Sequence, residues 1–169
     1  MRISTRSRYG TRMMLDIALH STDGPVRIQD VADRQGLSIK YLEKLIRLLK
    51  EAGFIMSKRG PKGGHMPSKP LDQITVGAVV RVLEGDGMLV QCSGGESCCV
   101  NEPMCLTRRV WKSAANAMFE KLESITFADL ADEMTRLHVD ITTIPDLFPE
   151  MHDDHCDTAK HMAKSYRHP

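Results

Sequence analysis

Apolar positions recur every three or four residues along most of the first 135 residues, the spacing of helices that pack by one face. From Arg8 to His20 the pattern predicts a helix with Met14, Leu15, Ala18 and Leu19 turned inward. Asp23-Gly24-Pro25 interrupts it. A second, short helix is expected from Val26 to Gln35, burying Ile28, Val31 and Ala32. Gln35-Gly36-Leu37 reads as a tight turn, and Ser38 suits the N-cap of a third helix running to about Ala52. That helix would bury Leu42, Leu45, Ile46 and Leu49, with Gly53 where a left-handed residue is wanted.

Two helices joined by a short glycine-containing turn form a helix-turn-helix, the second being the recognition helix. Phe54 to Lys58 can form a strand, and Arg59-Gly60-Pro61-Lys62-Gly63-Gly64 a tight exposed tip, with a return strand from His65. A basic hairpin at this place is a wing. Thr75 to Glu84 predicts a further helix, apolar along Val76, Val79, Val80 and Leu83, ended by Gly85-Asp86-Gly87. A long helix is expected from Cys105 to about Ser124, with Leu106, Val110, Ala114, Met118 and Leu122 on one stripe widened by Trp111, Ala115 and Phe119. That stripe is broader than one small domain needs, so it predicts packing against the same helix of a second copy, a homodimer. Thr126 and Asp129 resemble a capping box for a last short helix.

The expected fold is therefore mainly α with a small β-wing: a winged helix-turn-helix DNA-binding region over residues 1–70. A cysteine-loop sensor and dimerisation-helix region follows over 71–135, and a polar tail over 136–169. The composition, 41% hydrophobic and 27% charged, fits a chain that buries a core. No run approaches the ~18 apolar residues of a membrane span, and the basic start lacks a signal-peptide core, so the expected location is cytoplasmic. The formal net charge of +1 conceals a division. Residues 1–70 hold 14 Lys and Arg against 6 Asp and Glu, while residues 71–169 hold 9 against 16. A basic first half suits nucleic acid as the partner. Nothing assembles a base, an oxyanion site and a substrate pocket, so no enzyme is expected.

On the recognition helix, Ser38, Lys40, Tyr41, Glu43, Lys44 and Arg47 are the polar candidates for double-stranded DNA. Glu43 is repelled by phosphate. It serves either by accepting from cytosine N4 and rejecting other sites, or as a surface partner of Arg47 at i+4. At the wing, Arg59 and Lys62 with Gly63 and Gly64 complete the candidate surface. A dimer would set two recognition helices one DNA turn apart, matching a palindromic operator.

Four of the five cysteines, Cys92, Cys98, Cys99 and Cys105, fall within fourteen residues among glycines and a proline. Such clustering points to metal or redox chemistry, with thiolates as ligands of an iron–sulfur cluster. Zinc knuckles favour closer Cys-x2-4-Cys pairs, and a metal-free thiol switch is the third possibility. In the tail, His152, His155 and Cys156 form either a second metal site or part of a solvated extension.

Taken together, several motifs resemble the redox-response-factor (Rrf-type) family of winged-helix transcriptional regulators, and its iron–sulfur-cluster branch in particular. They are Arg8-Tyr9-Gly10, Met14-Leu15-Asp16, Ser38 with Tyr41-Leu42-Glu43, Arg59-Gly60-Pro61 with Gly63-Gly64, Val76-Gly77, and Cys92 through Cys105-Leu106-Thr107. The resemblance covers about residues 1–135. It implies a homodimer holding a cluster, commonly 2Fe–2S with 4Fe–4S also open, through three loop cysteines of each subunit. Loss, reduction or nitrosylation of that cluster would change the operators bound, with Glu43 discriminating between operator types. The chain departs from the motif where the family's cluster branch has His after Cys-Leu-Thr: here Arg108 stands, and a guanidinium cannot be that ligand. The acidic residue used by the nitric-oxide-sensing branch is replaced by Arg8. The loop also holds one additional residue, so Cys98 keeps the spacing from Cys92 and Cys99 the spacing from Cys105. Either all four cysteines are ligands, or one of the vicinal pair is, with water, Glu102 or a small thiol as the fourth.

Overall fold

The computed structural model describes residues 3–85 and 105–137; Cys92, Cys98, Cys99, Glu102 and the His152–Cys156 segment lie outside the described residues. Helix α1 (Thr5–His20) starts ahead of the expected Arg8 because Ser4 caps it, its Oγ accepting from the Ser7 amide at 3.2 Å. This helix is central, packing against the helix-turn-helix, the return strand of the wing, and two of the helices that follow the wing. It is therefore buried on more than one side: Met13 and Ile17 join Met14 and Ala18 in the core, while Leu15 and Leu19 are only half-buried.

Helix α2 (Ile28–Gln35) begins after the expected Val26. Val26 instead pairs with His65, each amide donating to the other's carbonyl at 2.9 and 2.8 Å. Gly36 turns the chain in the left-handed region at φ 62°, and helix α3 (Ile39–Glu51) follows with Ser38 accepting from the Tyr41 amide at 3.3 Å. Its buried side is the expected Leu42, Leu45, Ile46 and Leu49. Strands β1 (Ile55–Lys58) and β2 (Gly64–Pro67) form the antiparallel wing, with Ser57 opposite His65.

A short 3-10 turn (Leu71–Gln73) leads to α4 (Val76–Glu84), and α5 (Leu106–Glu123) and α6 (Phe127–Arg136) complete the order. Thr75 and Thr126 cap α4 and α6 and pair with each other. The Val76 amide reaches the Ile125 carbonyl and the Phe127 amide the Ile74 carbonyl, both at 2.9 Å. The capping box expected from Thr126 and Asp129 is present in both directions. One apolar cluster runs from Met13 of α1 through α2, α3 and α4 to Phe119 and Phe127.

The angle of the helix-turn-helix is fixed by charge. Asp16 on α1 has a side chain with 0% exposure, and Arg34 of α2 grips it through Nη2 at 2.6 Å and Nε at 3.1 to 3.2 Å. Gln35 donates to its second oxygen at 2.8 Å. A buried carboxylate with this many donors holds α1 and α2 at one relative orientation.

Two outcomes are expected. Asp16→Ala leaves Arg34 without its counter-charge and should lower unfolding free energy by ~3–5 kcal/mol in urea titrations, with the loss much smaller when Arg34→Met is added. Gly77 lies where α4 crosses the end of α5, so close that a Cβ would press on the Glu123 backbone. Gly77→Ala should therefore cost about 1–3 kcal/mol in the same assay.

Candidate nucleic-acid interface

The face of α3 opposite its buried leucines is exposed at Ser38, Lys40, Glu43, Lys44 and Arg47, with Tyr41 half-buried beside them. Lys40, Glu43, Lys44 and Arg47 thus share one side of the recognition helix, as a 3.6-residue repeat requires, with Tyr41 at its edge and Ser38 at its cap. Ser38 does double duty as cap, since its oxygen accepts from Tyr41 while its hydroxyl proton stays available to donate. Among the described residues no salt bridge joins Glu43 to Arg47.

Tyr41 meets Tyr9 of α1 edge to face, with centroids 6.1 Å apart. Burial pushes the Tyr41 phenol above its ordinary range and Tyr9 adds to that, while Arg6 and Arg8 pull it back.

The wing carries Arg59 and Lys62 at an exposed tip, as expected. Gly60 takes φ 120°, and the Gly63 amide closes the turn onto the Gly60 carbonyl at 2.9 Å. Gly63 and Gly64 are half-buried, and a Cβ on either would strike backbone, of Lys58 and of Val26 respectively. In this conformation both glycines shape the turn. Sequence reasoning missed the residue that steers the wing. Arg27, just before α2, donates to the Pro61 carbonyl at 3.0 Å. Its neighbour Val26 lies alongside β2, so the linker between α1 and α2 forms a third rung of the wing. The local hint was Val26 itself, whose β-branched side chain favours extended backbone. On the wing, Ser57 Oγ and His65 Nδ1 are 3.0 Å apart, and burial, then Lys50, holds His65 below the usual imidazole range.

Of the expected cysteine ligands, Cys105 is described. It occupies the N-cap position of α5, its sulfur 3.2 Å from the Thr107 hydroxyl. That hydroxyl, and next the Arg108 amide, hold the thiol below its ordinary range. The chemistry of this donor fits a thiolate ligand. Arg108 acts on the thiol through its amide first and, more weakly, through its charge. Beyond Cys105, α5 buries only Ala115 and Phe119, leaving Leu106, Val110 and Trp111 exposed at 71%, 61% and 50%. Glu84 and Cys105 mark the two ends between which the other loop cysteines fall, and Glu84 accepts from the Ser4 amide at 2.8 Å, tying the end of α4 to the cap of α1. Among the described residues no helix is long and apolar enough to cross a membrane.

Known proteins share this arrangement. A family model, Rrf2, described as "Iron-dependent Transcriptional regulator", matches residues 3–133. Protein rrf2 of Nitratidesulfovibrio vulgaris is 51% identical over 130 residues, covering 77% of this chain and 87% of that protein. The HTH-type transcriptional regulator IscR of Erwinia tasmaniensis is 39% identical over 139 residues, 82% and 84% of the two chains. Among solved structures, T. potens IscR superposes with a TM-score of 0.68 at 35% identity, over 83% of this chain and 93% of that one. CymR, described as the global cysteine regulator of B. subtilis, does so at 0.65 and 36%, over 79% and 98%. The match runs unbroken from the cap of α1 into α6, through the exposed face of α3 and the wing, and the chain belongs to the Rrf2 family of DNA-binding transcriptional regulators.

Proposed function

We propose that this regulator works as a homodimer on a palindromic operator, and that the state of a cysteine-ligated iron–sulfur cluster, 2Fe–2S by preference, selects the sites it binds. Cys92, Cys98, Cys99 and Cys105 are the ligands of choice, since Arg108 stands where a histidine would complete the set. The observation that carries the reading is Cys105. Its thiol opens the helix with the exposed apolar face, with Thr107 and the Arg108 amide stabilising the thiolate. When bound, such a cluster supplies a one-electron redox centre that oxidants, iron loss or nitric oxide can alter.

What this chain's own residues do is transmit position. The Ser4 amide on Glu84, and Leu83 seated where Gly10 has no side chain, couple the end of α4 to α1. Tyr9 of α1 then touches Tyr41 on the DNA-facing side. Leu106, Val110 and Trp111 on α5 supply the dimer contact. Lys40, Lys44 and Arg47 hold phosphate or base edges, Glu43 rejects unsuited sites, and Arg59 with Lys62 enters the adjoining groove.

A second reading is a metal-free thiol switch. The partly exposed, stabilised Cys105 thiol and the backbone likeness to the oxidized form of Staphylococcus aureus CymR, at a TM-score of 0.61, favour it.

Anaerobically purified protein should be brown, with iron and sulfide in equal amounts. Replacing the four loop cysteines by alanine should leave a folded protein whose operator preference no longer differs between air and nitrogen. Cys98→Ala and Cys99→Ala, made separately, should each change the visible spectrum. Colourless protein that still changes its operators in air would move the conclusion to the thiol switch. In light scattering, Trp111→Glu should convert the dimer to monomer without unfolding it, because the ring is half exposed in the single chain.

A further inference from the structure

Helix α2 opens on a residue that a helix start does not favour. Ser4, Ser38, Thr75 and Thr126 cap α1, α3, α4 and α6 through their hydroxyls. At the matching position of α2 stands Arg27, exposed and making no side-chain cap bond. A cation there also meets the positive end of the helix dipole. The guanidinium is engaged elsewhere. Its Nη2 donates to the Pro61 carbonyl at 3.0 Å, thirty-four positions along the chain.

Pro61 lies in the tip of the wing, where a tie has most effect. Strands β1 and β2 contribute four residues each, a ribbon that is marginal by itself. Beyond them, three of the six residues from Arg59 to Gly64 are glycines, which leave a backbone many conformations. The rung between Val26 and His65 anchors β2, and the bond from the Gly63 amide to the Gly60 carbonyl sets the internal shape of the turn. The Arg27 bond adds a restraint of another kind, between the start of α2 and the tip. Its acceptor stands in sequence between Arg59 and Lys62, the two exposed cations of the wing.

We propose that Arg27 is a positioning residue for the DNA complex: by holding the Pro61 carbonyl, it keeps the wing tip where Arg59 and Lys62 reach the groove beside the one that α3 enters. Arg27 acts through the wing and touches no phosphate itself. This rests on the DNA-binding reading above. A cation that enters a groove binds better when its place is set beforehand. The bond from Arg27 to an exposed carbonyl can shift the population of placed tips by no more than its own worth, about tenfold.

The test is a double-mutant cycle on the full chain, with binding followed by fluorescence anisotropy to a duplex recovered by footprinting wild-type protein on genomic DNA. Arg27→Met keeps the length of the stem and removes the donor; it should weaken binding about three- to tenfold. In a second background, with Arg59→Ala and Lys62→Ala already present, the same change should alter binding less than about twofold, because the tip it positions no longer contributes. Arg27→Lys, which keeps a donor on a similar stem, should retain most of the wild-type affinity. In free protein, hydrogen exchange of the amides across residues 59–64 should quicken in Arg27→Met while the urea midpoint stays close to wild type. Equal losses in the two backgrounds overturn the proposal, by making Arg27 a direct phosphate contact. Unchanged exchange at the tip overturns it too, as does a lysine variant no better than methionine. A fall in the urea midpoint that accounts for the lost binding also overturns it, by making Arg27 merely structural. If wild-type protein left no footprint, the DNA-binding reading would fail and this inference with it. If wild type bound and the cycle showed no coupling, only the inference would fail.

Discussion

A carboxylate sealed from water must be answered where it stands, and Asp16 is answered by Arg34 and Gln35. Because the donors sit on α2 and the acceptor on α1, the pair sets the angle between these helices more tightly than apolar packing alone. Packing tolerates small slides, whereas a bidentate bond to a buried oxygen pair does not. Everything that faces outward inherits that angle. Gly36 passes it to α3, and α1 passes it to Tyr9 and so to Tyr41.

The second half of the chain is organised around α1 as well. Helix α4 lies on it, with Leu83 filling the space that Gly10 leaves, and α4 in turn receives α5 at Gly77 and Arg81. Arg81 lies over the Phe119 ring at 4.3 Å while pairing with Glu123 at 2.8 Å, so it closes the α4–α5 contact with both its plane and its charge. The paired caps Thr75 and Thr126 bring the beginnings of α4 and α6 together. The helix opened by Cys105 is thus joined to the DNA-facing half through packed backbone at several places.

Much of this was legible in the residues alone, and the reasons are local. Helix α3 has a cap, a 3.6-residue apolar stripe and a closing glycine, and its boundaries and both faces were readable within a residue or two. The wing was readable because glycine and proline mark turns regardless of context. The long helix showed its surplus apolar face as extra leucine, valine and tryptophan positions. What stayed hidden depends on distant neighbours. Helix α1 is packed on several sides, so Met13 and Ile17 are buried although a single-stripe reading leaves them out. Val26 belongs to the wing because of His65, thirty-nine positions away, and Arg27 gained its role with it. The aromatic contact of Tyr9 with Tyr41 is equally non-local. Among the cysteines, spacing revealed the chemistry, while the surroundings of Cys105 alone show how one thiol is stabilised.

The rung formed by Val26 and His65 has a mechanical consequence. The linker after α1 leads into the helix-turn-helix and is also bridged to the wing, so the hairpin is tied to the start of α2. Head and hairpin behave as a single jaw of fixed gape. On the proposed mode of DNA binding, a half-site would have to present its two grooves at the separation this jaw dictates, and duplexes whose local twist or groove width depart from it would be rejected by geometry before any base edge is read.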